Sequence, residues 1–182
     1  VIAVSPSSLT TETIATTKSG PSVASPTGQY IALPGKDTTT DTSHVIGKIT
    51  ILNASTHAFT TTSITDVSPD HMMFSSDGKR LYVISAQAGT GNQLTNLKQN
   101  VLLVYDSSNL PSLTLLTEVV TGDAKTGHRH MASASHGSMM HLFVPAGDGF
   151  LYSVDSTSNT VTQKLELKGS FSNAFFHTLG SA

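Results

Sequence analysis

The feature that most constrains the fold of this chain is a hairpin signal that recurs about every 50 residues. It is clearest at 71–83, where Asp77-Gly78 stands between two apolar runs. An Asp-Gly pair flanked by apolar segments is a strong signal for a tight turn between antiparallel strands. When the chain is aligned on Gly78, related segments are found at 21–32, 130–144 and 173–180.

A second kind of hairpin lies between these segments. Each copy is an apolar strand, a turn rich in Asp, Asn or Ser, and another strand; the aligned positions are Val4, Leu52, Tyr105 and Val154, at steps of 48, 53 and 49 residues. Two hairpins per repeat make four strands, and no segment sustains the 3.6-residue apolar period of a helix, so we expect almost no helix.

Four-stranded units repeating at this period are typical of β-propeller blades. A β-sandwich also has short alternating strands, but it does not predict the same pair of hairpins recurring in order. We therefore predict an all-β fold, a β-propeller of four-stranded antiparallel blades, with about four blades in this chain. The 182 residues suit a single domain.

The predicted organisation is an outer hairpin at 1–20, blades at about 21–66, 67–121 and 122–168, and the start of a further blade at 169–182. Because both end units are partial, we expect either part of a larger ring or two copies that assemble into one. Polar stretches at 35–43 and 86–100 predict extended loops within blades.

The segment Ser-Ser-Asp-Gly-Lys-Arg-Leu-Tyr-Val at 75–83, followed by Val104-Tyr105-Asp106, resembles the YVTN-type propeller repeat. The wider group includes the lactonase-like propellers and the propeller domain of nitrous oxide reductase. The resemblance implies rings of seven or eight blades. The resemblance to the repeat is close in only one blade, because Thr27 and His136 stand where the turn aspartate is expected in two others.

Composition excludes several classes of function. The formal net charge is −2 with 12% charged residues and no basic cluster, so a nucleic-acid groove is not expected. Without cysteine, disulfides and thiolate metal sites are excluded. No apolar run reaches the roughly 18 residues of a membrane span. The 25 serines and 26 threonines resemble the composition of secreted proteins, and we expect an extracytoplasmic location: secreted, periplasmic or at the cell surface.

The first strand of each propeller blade lines the central channel, and ligands usually bind where the loops lead into those strands. The alignment puts Pro21, His71, His130 and Asn173 at equivalent positions there. Asp66, Asp70 and Asp123 lie in equivalent loops. We predict that four polar residues near this channel mouth contact a ligand: Asn173, Arg129, Asp70 and Asp123.

Imidazoles converging from different blades form copper or zinc sites without cysteine. The candidate ligands are His71, His128, His130 and His136. Strand alternation gives His128, His130 and His136 the same parity. The alternative is that each histidine only hydrogen-bonds a neighbouring blade. The resemblance to nitrous oxide reductase implies a copper-binding histidine ring, but this chain has too few such histidines, and no cysteine, to carry that function over.

No nucleophile elbow, phosphate-binding glycine loop or H-E-x-x-H motif is present, so catalytic residues stay unknown. Three hypotheses follow. The first is a non-catalytic binding or scaffold module, with a protein partner or with self-association that completes the propeller. The second is a propeller that binds copper or zinc. The third is a lactonase-like hydrolase or part of a redox enzyme.

Overall fold

A computed structural model of the chain describes residues 2–4, 11–13, 20–37, 44–88, 97–123, 130–136 and 139–167. Within these residues the protein is all-β, and no helix is present, so none is available to cross a membrane. The expected all-β class is therefore confirmed. The strands are β1 (Ile2–Val4), β2 (Thr11–Thr13), β3 (Val23–Ala24), β4 (Tyr30–Asp37), β5 (Ile46–Asn53), β6 (Phe59–Thr65), β7 (Val67–Phe74), β8 (Arg80–Ala88), β9 (Leu97–Asp106), β10 (Thr114–Val120), β11 (Ala132–His136), β12 (Met139–Pro145), β13 (Phe150–Asp155) and β14 (Thr160–Glu166).

Twelve of these strands form three consecutive four-stranded sheets, each antiparallel and each in chain order. The first sheet is β3–β6, the second β7–β10 and the third β11–β14. A separate pair, β1 and β2, makes a two-stranded antiparallel sheet. Two hairpins per repeat, predicted from the sequence, are confirmed by this order.

The tight turns of the first two sheets have the same backbone geometry. Gly28 and Gly78 both adopt a left-handed conformation, with φ of 72° and 71°. Their N–H groups donate to the carbonyls of Ser25 and Ser75 at 2.8 and 2.9 Å. Glycine occupies this region of backbone space without a steric penalty, which explains why the repeat is anchored on this residue.

A side chain closes the turn in both sheets. In the second sheet, Asp77 Oδ1 accepts hydrogen bonds from Ser75 Oγ at 2.6 Å and from the Lys79 N–H at 3.0 Å. In the first sheet, the hydroxyls of Ser25 and Thr27 lie 3.3 Å apart in the equivalent place. Threonine therefore replaces the turn aspartate with a weaker contact of the same kind.

The three sheets pack face to face through two separate hydrophobic clusters. Alternate residues of each central strand point to opposite faces, so the second sheet contributes Leu81 and Val83 to one cluster and Tyr82 and Ile84 to the other. The first cluster joins the first and second sheets: Ala32, Ile49, Ile51, Val67, Met72, Phe74, Leu81, Val83, Val101, Leu103 and Tyr105. The second joins the second and third sheets: Tyr82, Ile84, Leu102, Val104, Val119, Met131, Leu142, Val144, Tyr152 and Val154.

The prediction of a loop at 86–100 is wrong at both ends of this segment. β8 continues to Ala88, and β9 begins at Leu97, with Ala86 paired to Asn100 in the ladder. The polar residues here are part of the sheet because Gln99 Nε2 donates to Gln87 Oε1 at 2.7 Å across the two strands. The loop predicted at 35–43 is shortened in the same way, since β4 extends to Asp37.

Candidate ligand-binding edge

Strand ends from all three sheets meet at one edge of the stack, which we call the leading edge. It is the edge where β3, β7 and β11 begin. Because each sheet is antiparallel in chain order, β4, β8 and β12 end there and β5, β9 and β13 start there. The opposite edge carries the tight turns anchored on Gly28 and Gly78 and is called the turn edge.

Two histidines from neighbouring sheets are in contact at the leading edge of the third sheet, where His130 meets the middle of β7. The ring centroids of His71, on β7, and His130, just before β11, lie 5.2 Å apart with their planes tilted by 54°. The backbone N–H of Met131 donates to His71 Nδ1 at 3.4 Å. Because of this long hydrogen bond, Nδ1 of His71 faces the third sheet. Nε2 is the other polar atom of the ring.

The packing beneath the pair explains why these two residues meet. Met72 lies in the cluster between the first two sheets, and Met131 lies in the cluster between the second and third. Each methionine therefore points back towards the preceding sheet; Met72 lies within β7, and Met131 lies directly before β11. Since side chains alternate along β7, His71 points forward, to where His130 precedes Met131.

Asp70 is not in a loop, contrary to the sequence prediction. It lies within β7, and only 6% of it is exposed. The strand starts early because Asp66, with φ of 59°, makes a sharp corner directly after β6, so that pairing of β7 begins at Val67. A bulge between Pro69 and His71 then interrupts the ladder.

Close backbone packing adds to the burial of Asp70. Gly20, just before β3, lies so near the carbonyl oxygen of Asp70 that a Cβ on this glycine would overlap it. Glycine is required wherever two backbones approach this closely. The first and second sheets are therefore held together at the leading edge, directly beside the histidine pair.

The surroundings of His71 favour its neutral form. Burial lowers the pKa of His71 below the ordinary value of 6.5, and the charge of His130 lowers it further, while the carboxylate of Asp70 acts in the opposite direction. Desolvation and a nearby like charge both disfavour a cationic imidazolium. At neutral pH the pair therefore presents an uncharged imidazole to any ligand.

An imidazole–carboxylate contact lies further along the same edge. His44 Nδ1 is 2.9 Å from Asp66 Oδ1, and both side chains are more than a third exposed. The Asp66 N–H donates to the Val45 carbonyl at 2.7 Å, which holds the corner in place. His44 was not among the predicted site residues. Its position two residues before β5, which starts at the leading edge, was the available signal that it belongs there.

Asp123 lies at the corner between the second and third sheets and is exposed. Its carbonyl accepts a hydrogen bond from the Gly147 N–H at 2.8 Å. Beside it, the Tyr152 hydroxyl donates to Asp148 Oδ2 at 2.7 Å, and Lys164 Nζ lies 3.4 Å from the same oxygen. Lys164 Nζ also lies 3.8 Å from the centroid of the Phe150 ring. The charges of Asp148 and Lys164 therefore offset each other.

The structure brings together only some of the predicted site residues. His71, His130 and Asp70 are neighbours, and Asp123 lies at the next corner of the leading edge. His128, Arg129 and Asn173 lie outside the described residues, and His136 is the last residue of β11, at the opposite end of that strand from His130. Among the described residues no group of three or more His, Asp or Glu side chains is placed to hold a metal ion. The metal assignment stays a prediction.

Neither a scan of protein-family models nor a search of curated proteins finds a match for this chain.

Proposed function

We propose that this protein is a propeller-type binding module that takes its ligand at the leading edge. The observation that carries the proposal is the contact between His71 and His130, since two adjacent sheets each contribute an imidazole to one place. A binding or scaffold role needs only such convergent polar groups on a rigid frame.

The stacking of the sheets supports the propeller assignment. Each sheet packs its forward face on the backward face of the next, with strands running in the same order in all three sheets. Blades around a propeller axis are arranged in this way, with the first strand of each blade nearest the channel. On this arrangement β3, β7 and β11 line the channel, and His71 and His130 lie at its mouth.

The chemistry of the edge favours a ligand with both hydrogen-bond donors and acceptors. Because Nδ1 of His71 accepts from the Met131 N–H, a neutral His71 ring carries its proton on Nε2 and offers one N–H donor, and Asp66 and Asp123 place carboxylate acceptors along the same edge. We expect a small polar molecule or a polar peptide segment, rather than a strongly anionic ligand, because these carboxylates would repel one.

A ligand screen observed on the histidine resonances tests the proposal. The protein is labelled at histidine, and a library of small polar molecules and short peptides is screened by NMR. Ligands should shift the ring signals of His71 and His130 and should lose affinity when His71→Ala or His130→Ala is introduced. The matched control is His57→Asn, in the β5–β6 turn at the turn edge, where φ is 60°; asparagine tolerates this conformation.

Binding that is equally strong in His71→Ala and His130→Ala would refute the assignment of the site, even if the protein binds ligands elsewhere. Shifts confined to His57 would have the same meaning.

The second candidate is a copper or zinc site with imidazoles from two adjacent sheets as ligands; Nε2 of His71 would bind the ion only when Nδ1 is released from the Met131 N–H and carries the proton. Two imidazoles supply only two ligands, whereas protein sites for these ions use three or four. His128 is the proposed remaining ligand, because His136 ends β11, six residues along the strand from His130. Metal analysis of protein without a histidine tag should give bound copper or zinc that falls in His71→Ala and His130→Ala. Undiminished stoichiometry in both variants would eliminate this candidate.

The extracytoplasmic location stays a prediction from composition. The lactonase-like or redox activity stays a prediction from the family resemblance, and it draws no support from the contacts at the leading edge.

A further inference from the structure

At the turn edge, a side-chain oxygen caps the hairpin between the third and fourth strands of every sheet. The residue that ends the third strand is Asn53 in the first sheet, Asp106 in the second and Asp155 in the third. Its Oδ1 atom accepts a hydrogen bond from the backbone N–H two residues further on, at 2.9, 2.9 and 2.7 Å respectively. This contact closes the turn locally, and it requires only one oxygen at the capping position.

The residue that donates this hydrogen bond carries a hydroxyl group in every sheet: Ser55, Ser108 and Thr157. The hydroxyl at this spacing therefore belongs to the repeat. The capping residue differs, because it is an aspartate in two sheets and an asparagine in the first. The second and third sheets show that a carboxylate is sufficient for the turn, so the amide nitrogen of Asn53 is an addition that the fold does not need.

The amide nitrogen of Asn53 is accessible at the surface. Oδ1 accepts from two backbone donors, since the Thr56 N–H also lies 3.0 Å from it. Within the described part of the chain, Nδ2 has no hydrogen-bond partner, and it is not a buried atom. The three residues that follow, Ala54, Ser55 and Thr56, are all exposed. A group attached to Nδ2 would therefore extend into solvent and leave the cap in place.

Asn53-Ala54-Ser55 has the spacing Asn-x-Ser/Thr, with x other than proline, which enzymes of N-linked glycosylation recognise in secreted proteins. This spacing occurs once in the 182 residues. We propose that Asn53 is a site of N-linked glycosylation and that Nδ2 is the acceptor atom. The proposal presupposes the extracytoplasmic location expected from composition, and it is independent of the ligand site at the leading edge.

The transfer forms one bond and breaks another. Nδ2 bonds to the anomeric carbon of a sugar and loses one proton to a base of the transferring enzyme. The bond between that carbon and a phosphate oxygen of a lipid-linked sugar phosphate breaks, and the lipid phosphate leaves with the bonding electrons. The glycan, which is bulky and solubilising, would cover part of the turn edge. Since His71 and His130 lie at the opposite edge, the proposed ligand site would stay accessible.

Mass spectrometry of the full chain, secreted from glycosylating eukaryotic cells, tests this proposal. The wild type should carry one glycan, which a peptide N-glycosidase should remove. Asn53→Asp and Ser55→Ala should both lose the added mass completely, whereas Thr56→Ala should keep it. Asn53→Asp retains the capping oxygen, as Asp106 and Asp155 do in their own turns. It should therefore unfold at the same temperature as unglycosylated wild type from bacteria, which separates loss of the site from loss of the fold.

Asp106→Asn is the matched variant that adds a site. Asp106 is followed by Ser107 and Ser108, so this single change places the same spacing at the equivalent turn of the second sheet. The side chain of Asp106 is 38% exposed. A second glycan is therefore expected in this variant, and its presence shows that the cells modify turns of this kind.

Two outcomes would overturn the proposal. One is a secreted wild type without a glycan, and a glycan on Asp106→Asn from the same cells would show that the host is not the cause. The other is an added mass that persists in Asn53→Asp or resists the peptide N-glycosidase, which would place the modification on another residue.

Discussion

His71 and His130 lie on different sheets, yet their rings are 5.2 Å apart and Met131, next to His130, donates its N–H to His71 Nδ1. The contact joins the second and third sheets at the leading edge, above the cluster that holds Met131. It connects the packing of the fold to its proposed binding site, because any change in the stacking of these two sheets would separate the two imidazoles.

Acid should destabilise the protein through His71. Its pKa is lowered in the folded state by burial and by His130, so the unfolded chain takes up the proton more readily. The free energy of unfolding should therefore be highest above about pH 6.5 and should fall as the pH drops through that value towards the lower folded pKa. Urea denaturation at several pH values between about 5 and 8 measures this dependence of unfolding free energy on pH.

His71→Asn is the matched variant for the acid effect, since asparagine keeps a hydrogen-bond acceptor but does not titrate. It should have a flatter dependence of unfolding free energy on pH over the same range. An unchanged slope would show that other groups cause the effect.

The second sheet should be sensitive to truncation on both of its faces. Leu102 and Leu103 are neighbours in β9 and are both 0% exposed, but they point into different clusters. Leu102→Ala and Leu103→Ala should each cost about 2–5 kcal/mol of unfolding free energy. Leu116→Ala, at an exposed position, should stay within about 0.5 kcal/mol. If only one of the two alanine variants lowers the unfolding free energy in denaturation, the second sheet does not have a neighbouring sheet packed on each face.

Two glycines with positive φ should respond differently to substitution by alanine. Gly28 has φ of 72° with open space where a Cβ would be. Gly28→Ala should cost only the backbone penalty, about 1–2 kcal/mol. Gly122 has φ of 83°, and a Cβ there would lie 2.7 Å from the Tyr152 hydroxyl and 2.8 Å from Asp148 Oδ2.

Gly122→Ala should therefore cost more than Gly28→Ala, because it adds a clash with the Tyr152–Asp148 hydrogen bond to the backbone penalty. Thermal unfolding of the two variants side by side gives the comparison. Equal losses would indicate that the corner at Gly122 relaxes freely.

The hairpins were predictable because their signals are local. Asp77-Gly78 specifies its turn through the left-handed glycine and the carboxylate that accepts from Ser75 and Lys79. The same spacing identified Gly28 even though Thr27 replaces the aspartate. Such turns depend on a few consecutive residues, so the sequence alone contains the necessary information.

The features that the sequence predicted wrongly depend on contacts between distant segments. The burial of Asp70 follows partly from the approach of Gly20, and the polar ends of β8 and β9 are paired through Gln87 and Gln99. Polar composition predicted loops there, because nothing local shows that the two glutamines face each other. The His44–Asp66 contact was missed for the same reason, since it forms only when the corner after β6 has folded.

The most direct test of the account is an NMR titration of His71 in the wild-type protein and in His130→Ala. The account predicts that the pKa of His71 lies below 6.5 in the wild type, because the ring is buried beside a second imidazole, and that it rises when His130 is removed. A His71 pKa at or above 6.5 that does not respond to His130→Ala would contradict the contact between the two sheets and, with it, the proposed site.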